Sequence, residues 1–147
     1  MICVDASVAV KWIIDEEFSE QALELVHRAD RTGERIVAPA LMPFEVGNIF
    51  RKQMRRAGMT LATAEILFAK FLNTPVEHVS SRDLHQEALR VADRFDLPAI
   101  YDAHYLALAE SLGCDLWTDD RRLLRNVGSS LPFVRWIGDY RAPLSPN

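Results

Sequence analysis

Four acids in this sequence, Asp5, Glu45, Asp102 and Asp120, stand where a fold is able to bring carboxylates together. Carboxylates held within a few ångströms repel one another, so such a group is costly unless protons or cations compensate. A divalent cation is the usual compensation, and an oxygen-only donor set suits hard ions such as Mg²⁺ or Mn²⁺. Ions held this way bind phosphate oxygens and activate water for in-line attack on phosphodiesters. The histidines show no H-x-x-x-H or comparable zinc spacing, and the scattered glycines form neither GxGxxG nor GxxxxGKS/T. Nothing in the sequence therefore points to zinc or to a mononucleotide cradle. Taken singly, each residue has an ordinary explanation. Asp5, Glu45 and Asp102 suit helix starts, where the dipole favours negative charge. Ser7 suits a cap, Thr118 a strand, and Asp119 with Asp120 a turn. Separate explanations leave the arrival of four acids at one edge unaccounted for.

That edge follows from the elements. Residues 1–5 read as a short buried strand ending in an acid, and residues 7–14 as a compact apolar stretch opening a helix. Ser19 is expected to cap a helix carrying Ala22, Leu23, Val26 and Ala29, with Gly33 at its end. Residues 35–38 make a second strand. Pro39 and Pro43 then mark the approach to a helix built on Phe44, Val46, Ile49, Phe50 and Met54, with Glu45 in its first turn and Gly58 as its stop. Thr60 caps another helix, whose stripe is Leu61, Ala64, Leu67, Phe68, Phe71 and Leu72. Residues 76–79 form a third strand, and Ser80 with Asp83 fits a capping box ahead of Leu84, Ala88, Val91, Ala92 and Phe95. A helix over 101–112 ends at Gly113, residues 115–118 form a fourth strand, 121–127 a short helix and 133–137 a last strand. The tail from residue 138 is expected to be loosely held. Strands alternating with helices give an α/β fold whose central, mostly parallel sheet of four to five strands is covered on both faces. Ligands of such sheets bind beyond the strands' carboxyl ends. Asp5 and Asp120 fall at that edge.

With 147 residues, 49% of them apolar, the chain is expected to form a single domain with its own core, without help from disulfides. Cys3 and Cys114 belong to no CxxC pair and read as reduced core residues. The start of the sequence lacks the basic region and long apolar run of a signal peptide, and no segment has the length of a membrane span, so a cytoplasmic protein is expected. A net charge of −4 excludes a protein that coats nucleic acid through bulk positive charge. Positive charge is instead local, in Arg51, Lys52, Arg55 and Arg56 and in Arg121, Arg122 and Arg125. Solvated helix faces are the plain alternative for both clusters.

The segments VDASVAVKW, PALMPFEVGNIF, YDAHYLALAE and WTDDRRL resemble the ordered acidic motifs of PIN domains, particularly those of VapC toxins, over about residues 2–134. The resemblance implies a three-layer PIN-like fold and a Mg²⁺- or Mn²⁺-dependent endoribonuclease. It also implies a homodimer inhibited by a small VapB-like antitoxin. By motif position Asp5 and Asp102 become direct metal ligands, and Glu45 and Asp120 complete the site directly, through water, or by positioning the attacking water. Ser7 and Thr118 would hydrogen-bond the carboxylates. Asp119 occupies a position the family pattern does not require to be acidic and is expected behind the ligands or at the surface. Arg121 and Arg122, with Arg51 and Arg55, are expected to hold the RNA backbone, helped by the amino end of the short helix that follows Asp120.

Three rivals stand against this reading. A receiver-like phosphoacceptor domain is also a small α/β protein with acids at strand ends, but it needs a lysine near its last strand, and residues 133–137 contain none. A PIN-like scaffold that only binds RNA stays open. A haloacid-dehalogenase-like phosphatase would need an acid where Ser7 stands.

Overall fold

The computed structural model describes residues 1–141. In chain order the strands are β1 (Ile2–Val4), β2 (Ile36–Pro39), β3 (Val76–Val79), β4 (Leu116–Thr118) and β5 (Val134–Trp136). The helices are α1 (Ala6–Ala9), α2 (Ser19–Thr32), α3 (Met42–Ala57), α4 (Leu61–Leu72), α5 (Arg82–Arg94), α6 (Ile100–Leu112) and α7 (Arg121–Val127). Single 3₁₀ turns cover Val10–Trp12 and Ile137–Asp139.

The strands form one sheet in the order β3-β2-β1-β4-β5, and every pairing is parallel rather than mostly so. Parallel sheets need cover on both faces, and β1, β2 and β4 accordingly read as continuous apolar runs. Ile2, Cys3 and Val4 are all buried, with Cys3 opposite Val37 on one side and Leu116 on the other. From β1 the chain first builds outward through β2 to β3, then returns to place β4 on the other side of β1. The reversal leaves a crevice between the carboxyl ends of β1 and β4, where open α/β sheets take their ligands. Asp5 follows β1 directly, and Asp120 stands two residues past the end of β4.

Helix α6 is the central cover. Ala103 through Ala109 are all buried, and the helix contacts α5, β1, β2 and β4, which explains why its apolar residues run all the way round. Helices α3 and α4 form a hairpin through Phe50, Phe68 and Phe71, whose rings lie 5.8 and 6.0 Å apart in succession. Both cysteines are free and buried. No helix among the described residues is long and apolar enough to cross a membrane.

Three local expectations differ from the structure. Ser19 is the first residue of α2 rather than its cap, because Phe18 takes a left-handed turn (φ 66°) ahead of it. The Ser19 hydroxyl instead accepts from the Glu16 amide and donates to the Ile14 carbonyl, which fixes the preceding loop. Ser81, not Ser80, caps α5 by accepting from the Leu84 amide at 3.1 Å. Ser80 follows directly on β3 and meets the His85 ring. The tail is held as far as it is described: Ile137 and Tyr140 are buried, and the Tyr140 ring sits edge-on to Trp117 with centroids 5.0 Å apart. Gly138 permits this turn, since a Cβ there would stand 2.4 Å from the Trp136 ring. The rest of the tail lies outside the described residues.

Candidate functional site

Asp5 leaves β1 and caps α1, accepting from the Val8 amide at 3.1 Å. Ser7 donates to the same oxygen at 2.5 Å, and the Thr118 hydroxyl donates to the other. The residue is 8% exposed, and burial pushes its carboxyl up to about 6, against the pull of these three donors and with a further push from Asp102. Thr118 in turn accepts from the Asp120 amide, and Ser7 accepts from the Asp119 amide at 2.8 Å. Two hydroxyls thus tie the end of β1 to the end of β4.

Glu45 lies in the first turn of α3 and Asp102 in the first turn of α6. Tyr105, one turn after Asp102, donates its hydroxyl to Glu45 Oε2 at 2.5 Å. Burial raises Glu45 to about 7; Asp5 and Asp102 add to the rise and Tyr105 opposes it. Asp102 is raised by burial and then by Asp120, while the positive charge of Arg122 pulls the other way. Asp120 caps α7 through Oδ1, which accepts from the amides of Arg122 and Leu123. Each acid is therefore also an ordinary helix-start residue, and the helix dipoles offset part of the repulsion that gathering them creates. The two explanations weighed from sequence are compatible at the same atoms.

All four acids and Ser7 line one cavity of about 740 Å³, whose wall also contains Phe44, Asn48, Lys52, Tyr101 and Tyr105. Thr118 stands behind it. Asp119 points elsewhere: Oδ2 pairs with Lys11 at 2.9 Å and Oδ1 accepts from the Trp136 indole at 3.1 Å. Lys11 is 5% exposed and also reaches Glu16 at 3.3 Å. Arg121 lays its guanidinium over Trp136, 3.9 Å from the ring centroid, away from the acids. Arg51 and Arg55 are exposed on α3 but absent from the cavity wall, where Lys52 stands instead. The amino end of α7 is already taken by Asp120, so it offers phosphate less than expected.

Sequence reasoning missed Tyr105, Asn48 and Lys11, and placed Lys52 in a positive cluster without assigning it to the cavity. All but Lys11 had a usable signal: Tyr105 follows Asp102 by three residues, and Asn48 and Lys52 follow Glu45 by three and seven, which puts each on its acid's helix face. Lys11 was visible only as a lone charge inside an apolar stretch.

The donor set fits a hard divalent cation. It offers only oxygen, and two of its carboxylates, Asp5 and Glu45, are held well above their usual range by burial and mutual repulsion. Among the described residues no three His, Cys, Asp or Glu side chains stand close enough together to hold an ion as a group. A hard ion bound here would rest on one or two of the carboxylates and keep several of its waters.

The PIN domain family model matches residues 2–129. The chain is also 32% identical to Ribonuclease VapC3 of Pyrobaculum aerophilum over 127 residues, covering 83% of this chain and 91% of that one. The chain belongs to the VapC branch of the PIN domain family. Ribonuclease VapC12 of Mycobacterium tuberculosis is 31% identical over 128 residues, covering 87% and 93% of the two chains. Among solved structures, PAE2754 from Pyrobaculum aerophilum superposes with a TM-score of 0.65 at 28% identity, over 93% of this chain and 90% of the other. VapC20 of Mycobacterium tuberculosis, described as a sarcin–ricin loop cleaving toxin, gives a TM-score of 0.64 over 92% and 99% of the chains. At 21% identity that likeness bears on the fold. The PIN fold expected from the motifs is the fold observed.

Proposed function

We propose that this protein is a Mg²⁺- or Mn²⁺-dependent endoribonuclease, the toxin of a cytoplasmic toxin–antitoxin pair. One observation carries the reading: four carboxylates from four separate segments line one cavity, where burial and neighbouring acids raise Asp5 to about 6 and Glu45 to about 7. The ribonuclease names of the VapC3 and VapC12 relatives support RNA as the substrate.

Asp5 and Asp102 would hold the cation, with Asp120 and Glu45 completing its surroundings directly or through water. When bound, the cation neutralises the acids, polarises the phosphate and favours ionisation of water. Ser7 and Thr118 keep Asp5 oriented; Oδ1 already accepts from Ser7 and the Val8 amide, so Oδ2, which accepts from Thr118 alone, is the oxygen with a lone pair left for a cation. Glu45, tethered through Oε2 by Tyr105, is placed to accept a proton at Oε1 from the attacking water. Arg122, whose charge acts on Asp102, and Lys52 in the cavity wall are the cations nearest the chemistry, with Arg51 and Arg55 extending the positive edge along α3. Arg121 is held on Trp136 and contributes less directly.

Leu61, Ile66 and Leu72 on α4 are each more than half exposed, an apolar face suited to a second copy of the chain and to a small VapB-like antitoxin. Sequencing RNA ends after induced expression tests the nuclease reading: a cluster of new ends absent from an Asp5→Asn control names the substrate. An end profile identical to that control defeats the reading in favour of a scaffold that binds without cutting.

A further inference from the structure

The cavity is too large for a cation alone. An octahedral ion with six waters fills roughly 200 Å³ at about 30 Å³ per water, against about 740 Å³ here. The surplus is walled by two aromatic rings placed in the same way. Phe44 immediately precedes Glu45 and is 80% exposed; Tyr101 immediately precedes Asp102 and is 59% exposed. Core packing accounts for neither ring, and isolated surface aromatics would not both border the acids. Each is fixed in the first turn of a helix beside a carboxylate, so a group stacked on it lies within about one nucleotide of the reacting phosphate.

Helix α3 continues the pattern. Phe44, Asn48 and Lys52 recur every four residues, roughly one helical turn of 5.4 Å, and all three line the cavity. They present in order a stacking face, an amide with both donors and an acceptor, and a cation. Among the described residues Asn48 and Lys52 have no side-chain partner. A ring for a base, an amide for a base edge or ribose and an ammonium for phosphate together match a nucleotide, and the lysine's charge suits a polyanion better than it suits an apolar protein surface.

Building on the nuclease reading, we propose that Phe44 and Tyr101 form a stacking subsite for an unpaired nucleobase next to the scissile phosphate, with Asn48 and Lys52 holding the attached sugar and phosphate. Bases engaged in a duplex are already stacked and cannot reach such rings, so the subsite selects single-stranded segments. Stacking accepts every base, so sequence preference from it is modest.

The test uses an unstructured RNA oligonucleotide with Mn²⁺ and the same oligonucleotide carrying an abasic ribose on either side of the mapped cut. Phe44→Ala and Tyr101→Ala each lower kcat/KM on intact RNA by about 5- to 150-fold, the range expected for one lost base stack. The abasic sugar costs the wild type a similar factor and costs the corresponding variant little more. Phe44→Trp regains the discrimination that Phe44→Ala loses. Alanine variants that cut at the parental rate, or losses that multiply fully with the abasic loss, overturn the subsite. Loss of self-association alone, by light scattering, with RNA kinetics unchanged, reassigns the rings to a protein interface. Binding of the two oligonucleotides to Asp5→Asn protein, by fluorescence anisotropy, makes the same comparison without turnover. A wild type that binds the intact RNA better than the abasic one but never cuts it defeats the nuclease reading alone, whereas equal binding defeats the stacking subsite alone.

Discussion

Asp5 caps a helix, receives two hydroxyls and still sits near 6, so burial outweighs all three hydrogen bonds. Its folded value lies above its unfolded one. The stability it contributes is thus fully present below about pH 4 and is lost as pH rises through 6. At 1.36 kcal/mol per unit the cost at neutral pH is about 3 kcal/mol. Asp5→Asn removes that cost, so its stability relative to the metal-free wild type should improve by up to this amount between pH 4 and 7.5, read from urea midpoints. Saturating Mn²⁺ should narrow the gap by stabilising the wild type. A difference flat with pH would mean that the carboxylate is not held up. Tyr105 acts in the opposite sense on Glu45 by lowering it. Tyr105→Phe should therefore shift the acid limb of the kcat/KM profile for RNA cleavage to higher pH and recover most activity in alkaline buffer. A uniform loss at every pH would assign Tyr105 to packing alone.

At the scale of elements, the loop after β4 is set by groups on both of its sides. Thr118 and Ser7 hold its backbone to β1, and Asp119 is anchored by Lys11 and Trp136. Lys11→Met leaves Asp119 and Glu16 without their buried partner. Breaking a fully buried pair costs about 3–5 kcal/mol; because both acids keep some solvent, the loss should fall at or below the lower end, and Lys11→Met with Asp119→Asn should lose less than the two changes summed. Additive losses would show that the pair is not coupled. The strands and their mostly parallel arrangement were legible because strand-like runs alternate with helical ones, and the acids because each follows a strand or opens a helix; the order β3-β2-β1-β4-β5 was not. The caps at Phe18 and Ser81 were not: two neighbouring serines fit the same pattern, and a left-handed phenylalanine leaves no compositional trace. The stacking of Arg121 on Trp136 was not legible for a related reason, since it joins residues fifteen apart across two elements.

For the molecule as a whole, net charge is −4 and the cations that matter are local. Arg122→Ala should lower the salt dependence of RNA binding by about one phosphate contact, roughly 0.7 in the log–log slope for a single strand, and Arg121→Ala by less. Equal slopes for wild type and Arg122→Ala would mean that the RNA runs elsewhere. The exposed face of α4 should make the protein dimeric at micromolar concentration by light scattering, and Ile66→Glu should shift it toward monomer; a parental protein already monomeric there would remove the dimer. Purified wild-type protein, stripped with chelator, is incubated with RNA alone and then with Mg²⁺ or Mn²⁺ restored, beside folded Asp5→Asn and Asp102→Asn. No cleavage is expected without the cation, recovery on its return, and none from either variant. Cleavage in excess chelator, or at the parental rate by a variant, would contradict a cation held by these acids.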